Sequence, residues 1–261
     1  MALLRFFLAV FGFAVSLSVF AQSSPTQDEM QALAPTGKLR AALYLGGPAS
    51  VIKDPNSGEM RGVGYELGRD IARRIGVPYE PVIYQTPGLV VEDAASGKWD
   101  IAFIAQNPDR ERIINYTTAY LRVEHGYLAP SGSPIQTIPD VDRPGIRVGV
   151  PAGGTVIPVL KRMLKDPKIV EVAVPEAAEL IKSGKVEVFA ANKSILFALA
   201  DQLPGARVLE GHYSVDTYAV GTPKGREAGL VYLRQFIESA KAEGLVRSAM
   251  QRAGVRGAVQ E

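Results

Sequence analysis

The sequence predicts an α/β chain built as a clamshell, two similar lobes joined by two extended segments. Three observations carry this. Strand-like and helix-like stretches alternate from Lys38 to Ala105 and again from Arg147 to Gln202, the pattern of parallel sheets with helical crossovers. Extended stretches near residues 121–129 and 214–221 follow the two sets. A long helical stretch, Arg226 to Ala242, closes the pattern. The expected organisation is a first lobe of residues 36–123 and 218–261, a second of 128–213, and hinge crossovers at 124–127 and 214–217.

Each element has its local reason. Lys38 to Leu43 reads as a strand, followed by a Gly-Gly-Pro loop, and Asp54 to Gly58 as a hairpin turn rather than a calcium loop, since its glycine stands a position early and no glutamate closes it. Leu67, Ile71, Ala72 and Ile75 recur at helical spacing, and Gly76 stops that helix. Tyr79 to Tyr84 is strand-like, Leu89 to Ala95 a short helix, and the apolar run Ile101 to Ala105 a buried strand led in by Trp99, which reads as structural. In the second set, Arg147 to Val150, Ile169 to Val174 and Val186 to Ala191 are strands. Val156 to Leu164, Pro175 to Ile181 and Ser194 to Gln202 are the helices between and after them.

The first residues read as an address. Arg5 ends a short positive region, Phe6 to Leu17 is apolar, and Val19-Phe20-Ala21 offers small residues where a signal peptidase cuts. Residues 1–21 are therefore expected to be a cleaved signal peptide and 22–35 a flexible segment. No cysteine occurs, so neither a lipid anchor nor a disulfide framework is expected, and stability must come from the core. Export to a periplasm, as a soluble monomer, fits this. The formal charge of +2 is spread without a basic stripe, which argues against nucleic acid as a partner. Two histidines, His125 and His212, without cysteine leave no designed zinc site, and no cofactor is expected.

Asn107-Pro108-Asp109-Arg110 follows the buried strand at Ala105. A guanidinium at the carboxyl end of such a strand is placed to fork onto a carboxylate in a cleft. The plain alternative is a surface arginine at a helix start. Gly153-Gly154-Thr155, ahead of a helix, reads either as an ordinary N-cap or as part of an anion site at the helix start.

Gly62 to Ala72 through Gly76, Gly97-Lys98-Trp99-Asp100, Asn107 to Arg110, and Ile114 to Tyr120 together resemble the family 3 extracellular solute-binding proteins, the polar amino-acid receptors of ABC importers. The resemblance runs from Thr36 to the helix before Gly254. It implies the type II clamshell fold, a small carboxylate ligand, an inner-membrane ABC permease as partner, and no catalysis. It also implies that Arg110 grips the ligand carboxylate and that Gly153, Gly154 and Thr155 complete the site from the second lobe. Asn192 stands where the family usually has an aspartate for the ligand ammonium, and an amide brings no charge to offset one. Gln106 and Ala105 replace the family's hydroxyls in a shorter turn.

Tyr44, Tyr84 and Tyr120 are candidates either for the cleft or for core packing, and Glu124 and His125 either for ligand contact or for the hinge. The expected function is capture of an amino acid or related organic acid between the lobes. The alternatives are a dehydratase-like enzyme on the same fold, for which Glu124 is the one nameable acid, and a sensory ligand-binding module.

Overall fold

The structure, a computed structural model, describes residues 24–54 and 56–261; the expected signal peptide lies outside them. The segment expected to be flexible instead carries a helix, α1 (Gln27–Leu33). Thr26 and Glu29 close a reciprocal capping box at its start, and Leu33 is fully buried in the core. Local capping and one buried leucine, packed where Gly229 leaves room, order what composition alone reads as a tail.

Then follow β1 (Leu39–Tyr44), the small hairpin β2 (Ile52–Lys53) and β3 (Met60–Arg61), α2 (Val63–Ile75) and β4 (Tyr79–Tyr84). Asp54 holds the hairpin turn by accepting from the Asn56 and Ser57 amides. Gly76 ends α2 in the left-handed conformation, as a C-cap glycine should. Next come α3 (Pro87–Glu92), β5 (Ile101–Ala105), β6 (Ile114–Tyr116) and β7 (Leu121–Ala129). Trp99 is buried before β5 and donates its indole N–H to Val90 O at 3.1 Å, a structural role.

The second half runs β8 (Arg147–Pro151), α4 (Val156–Met163), β9 (Lys168–Val172), α5 (Ala177–Lys182), β10 (Val188–Asn192), α6 (Lys193–Ala200) and β11 (Arg207–Val208). The chain returns through β12 (Ser214–Pro223), α7 (Glu227–Ala242), α8 (Leu245–Arg252) and β13 (Ala258–Gln260). The expected helices and strands are present within a few residues. What the pattern reading did not supply is α1, the short strands β6 and β11, α8, and β13, whose partner is β7.

The main sheet is ordered β4-β1-β5-β12-β7-β10-β8-β9. Its two ends are parallel, β4-β1-β5 on one side and β10-β8-β9 on the other. In the middle β12 and β7 pair antiparallel over residues 214–218 and 121–125. Each of these two strands then continues into a different end: β12 onto β5 through Tyr218 to Gly221, and β7 onto β10 through His125 to Leu128. Separate apolar clusters flank the two ends. One gathers Leu43, Leu67, Phe103, Leu233 and Phe236, and another Leu128, Ile181, Phe189, Leu196 and Leu199. Two α/β lobes joined by two shared strands result, the clamshell that the sequence predicts.

Candidate ligand-binding cleft

The carboxyl ends of the parallel strands and the shared strands converge where the lobes meet. A cavity there is lined by Tyr44, Arg110, Thr155, Asn192, Asp216 and Tyr218, with Pro87, Ile104, Pro151, Val156 and Ile195 as its apolar wall. Its free space is about 20 Å³, enough for about one water. The lobes are thus in contact. The Gly88 amide meets Ala152 O at 3.4 Å, and a Cβ at Gly46 would overlap Val174 across the gap.

Arg110 reaches this cavity because the chain turns sharply after β5. The Asn107 side chain accepts the Arg110 amide at 2.9 Å, fixing the turn. Arg110 is only 5% exposed. It donates to Ala105 O at 2.6 Å on its own lobe and to Gly153 O at 2.9 Å on the other. Both acceptors are neutral carbonyls, and among the described residues Arg110 forms no ion pair. A surface arginine it is not.

Gly154 and Thr155 of the Gly153-Gly154-Thr155 turn line the cavity. The Gly153 amide donates to the Glu171 carboxylate at 3.0 Å, and the Gly154 amide to Pro151 O at 2.9 Å. Thr155 stands at the N-cap of α4, yet its hydroxyl makes no capping bond and donates instead to Asp216 Oδ1 at 2.5 Å. Asn192 caps α6, with Oδ1 accepting from the Ile195 amide at 3.2 Å and the Ser194 hydroxyl at 2.7 Å. Its Nδ2 donates to the Tyr218 hydroxyl at 2.9 Å, which in turn lies 2.6 Å from the Tyr44 hydroxyl. Burial pushes the Tyr44 phenol up to about 12 and Tyr218 well above the ordinary tyrosine range, so both stay neutral.

Gln106 is not among the residues lining the cavity. Tyr120 packs in the first-lobe core against Phe103, and Tyr84 bonds Asp93 at 3.0 Å. Glu124 and His125, neighbours on β7, point to opposite faces as a strand requires. Glu124 pairs with Lys193 at 2.6 Å and His212 at 3.3 Å, outside the cavity. His125 is buried, its Nε2 at 3.0 Å from Asp216 Oδ2 and off the line of a well-aligned hydrogen bond.

Asp216 is the residue that sequence reasoning missed. Register brings it in: β12 pairs Ser214 with His125 and Asp216 with Val123, so Asp216 and His125 are diagonal neighbours on one face. β10 pairs Asn192 with the same His125. Burial alone would raise the Asp216 carboxyl. His125, the Thr155 hydroxyl and the nearby Arg110 charge outweigh it and hold the group below the usual carboxylate range. The cleft therefore presents a buried cation and a buried anion to the same small space.

A cleft between two lobes with both charges buried is the form of a receptor that closes on a small solute. Residues 45–252 match the bacterial extracellular solute-binding proteins, family 3, and the chain belongs to that family. It is 20% identical over 198 residues to the ABC transporter glutamine-binding protein GlnH of Bacillus subtilis (strain 168), covering 74% of this chain and 72% of that one. Among solved structures, the solute receptor for L-cysteine of Neisseria gonorrhoeae has a TM-score of 0.77 at 23% identity, with 86% of this chain and 92% of that chain covered. AncCDT-1, an ancestral amino acid-binding protein and precursor of cyclohexadienyl dehydratase, has a TM-score of 0.75 at 20% identity, covering 85% and 98%. The relatives are binding proteins. No described helix is long and apolar enough to cross a membrane.

Proposed function

We propose that this chain is a periplasmic receptor that closes on a small carboxylate-bearing solute, an amino acid or a related organic acid, and delivers it to an ABC permease. One observation supports it above the others: Arg110 is buried at the lobe interface and its guanidinium hydrogen-bonds to carbonyl oxygens rather than to a carboxylate. A buried cation held by neutral dipoles gains most from an arriving anion, and the planar guanidinium matches a carboxylate at two points. The Arg110 bond to Gly153 O also ties this anchor to the opposite lobe, so ligand capture and closure share one side chain. An acid catalyst at Glu124 has no support, because that carboxylate is paired outside the cavity. Calorimetry on the purified protein with carboxylate solutes, before and after Arg110→Ala, tests the reading. Undiminished binding by the variant would end it.

A further inference from the structure

We propose that Asp216 receives the ligand's ammonium group, so that the solute is a zwitterionic α-amino acid with an uncharged side chain. This rests on Arg110 as the carboxylate anchor. Asn192, the residue at the position where an ammonium partner is expected, is already spent. Both lone-pair directions of its Oδ1 serve the Ile195 amide and the Ser194 hydroxyl, and its Nδ2 donates to Tyr218. Nothing in that amide is left to accept an N–H.

Asp216 lines the same cavity, is 6% exposed, and is ionised. A carboxylate offers about four acceptor sites. Thr155 uses one at 2.5 Å, and His125 lies against the other oxygen at 3.0 Å, which leaves room for an ammonium. The anion has moved from the end of β10 to the shared strand β12, and the paired register of β10, β7 and β12 keeps both positions on one face. Thr155, from the second lobe, and His125, on the other shared strand, act as positioning residues that aim the carboxylate.

The side chain follows from what remains. Once Arg110 and Asp216 hold the main-chain charges, no other charged residue lines the cavity. The rest of the wall is uncharged: apolar residues such as Pro87, Ile104, Val156 and Ile195, the Thr155 and Asn192 side chains already bonded within the protein, and two tyrosine hydroxyls bonded to each other. A charged side chain would be buried there without a partner.

The test is calorimetry of the purified protein with L-alanine, L-lactate, pyruvate, L-arginine and L-glutamate, repeated on Asp216→Asn and Arg110→Ala. Wild type should bind L-alanine more tightly than L-lactate and than the two charged amino acids. Asp216→Asn should weaken alanine by about 10- to 100-fold, the range of a hydrogen bond to a charged group, while lactate shifts by less than about threefold. A wild type that prefers lactate or pyruvate overturns the inference and leaves the carboxylate reading standing. So does an Asp216→Asn variant with alanine affinity intact. Tighter arginine or glutamate binding overturns the side-chain class. Arg110→Ala with unchanged affinity defeats the carboxylate reading itself. Should Asp216→Asn not fold, the wild-type preference between alanine and lactate still decides.

Discussion

Replacing Gly153 by alanine separates two contributions that the structure assigns to one residue. Gly153 has φ of 65° and sits where the second lobe touches the first. An L-residue in that left-handed region costs about 1–2 kcal/mol, whether the lobes are open or closed. For a chain of this size that lowers the melting midpoint by about 2–8 °C. The second contribution exists only when the lobes meet. A Cβ at 153 would stand 2.4 Å from Gly88 Cα and 2.8 Å from Gly88 N, both rigid backbone. Relief of such an overlap costs about 1–3 kcal/mol. Since it falls on the closed form alone, it weakens ligand affinity by about 5- to 150-fold. Gly88→Ala is the matched control, because its Cβ would lie 3.2 Å from Gly153 Cα and its backbone is helical without positive φ. That variant should keep its midpoint and lose less than about fivefold in affinity. Scanning calorimetry gives the first quantity and titration calorimetry the second. A Gly153→Ala protein with a lowered midpoint and full affinity would refute the reasoning, since the liganded lobes would not then approach at this turn.

Arg110→Lys should bind carboxylates at least about tenfold more weakly than wild type, because an ammonium cannot span Ala105 O, Gly153 O and a carboxylate at once; equal affinity in titration would contradict a bidentate anchor. Asp216 is depressed on folding, so its contribution to stability is full above the unfolded carboxyl value of about 4 and fades as pH falls through the lower folded value. The stability gap between wild type and Asp216→Asn, read by urea melts, should therefore be constant near neutral pH and shrink in acid; a gap that grows in acid reverses the sign. Asn192→Ala removes the α6 cap and a donor to Tyr218 and should cost about 1–2 kcal/mol in the same melts, with a null effect showing that water replaces both.

Much of the fold was legible because the signals were local. The strand Tyr79–Tyr84 and the helix ending at Gly76 follow from periodicity and a left-handed stop, and both stand where expected. Arg110 was legible because a strand end, a turn and a cation adjoin in the chain. Asp216 was not, for a physical reason. In Ser214-Val215-Asp216-Thr217-Tyr218 polar and apolar residues alternate, and alternation cannot say which face is the cleft until β7 supplies the register. The same limit hid β13 and α1. β13 is three residues long and exists as an addition to β7, while α1 is held by Leu33 in a core it shares with α7. Asn192 shows a different limit: it lines the cavity, but sequence does not tell how its polar atoms are used. Its place in the sequence pointed to the ligand, but its atoms serve a helix cap and a tyrosine.

The sharing of β7 and β12 between the lobes bears on how the chain acquires its structure over time. The second lobe is contained between two strands that lie side by side, so its cluster of Leu128, Ile181, Phe189 and Leu196 draws on one continuous stretch. The first lobe draws on both ends of the chain: Leu33, Leu43 and Phe103 pack with Tyr218, Leu233, Phe236, Val246 and Ala249. Until β12 arrives, β5 has one unpaired edge, and until α7 and α8 follow, an apolar face stays wet. A polypeptide that emerges amino end first thus completes its inner lobe before its outer one. The first lobe carries the contacts of long sequence separation, the kind that cost most chain entropy to close. It also carries the exposed strand edge that a chaperone has most reason to cover.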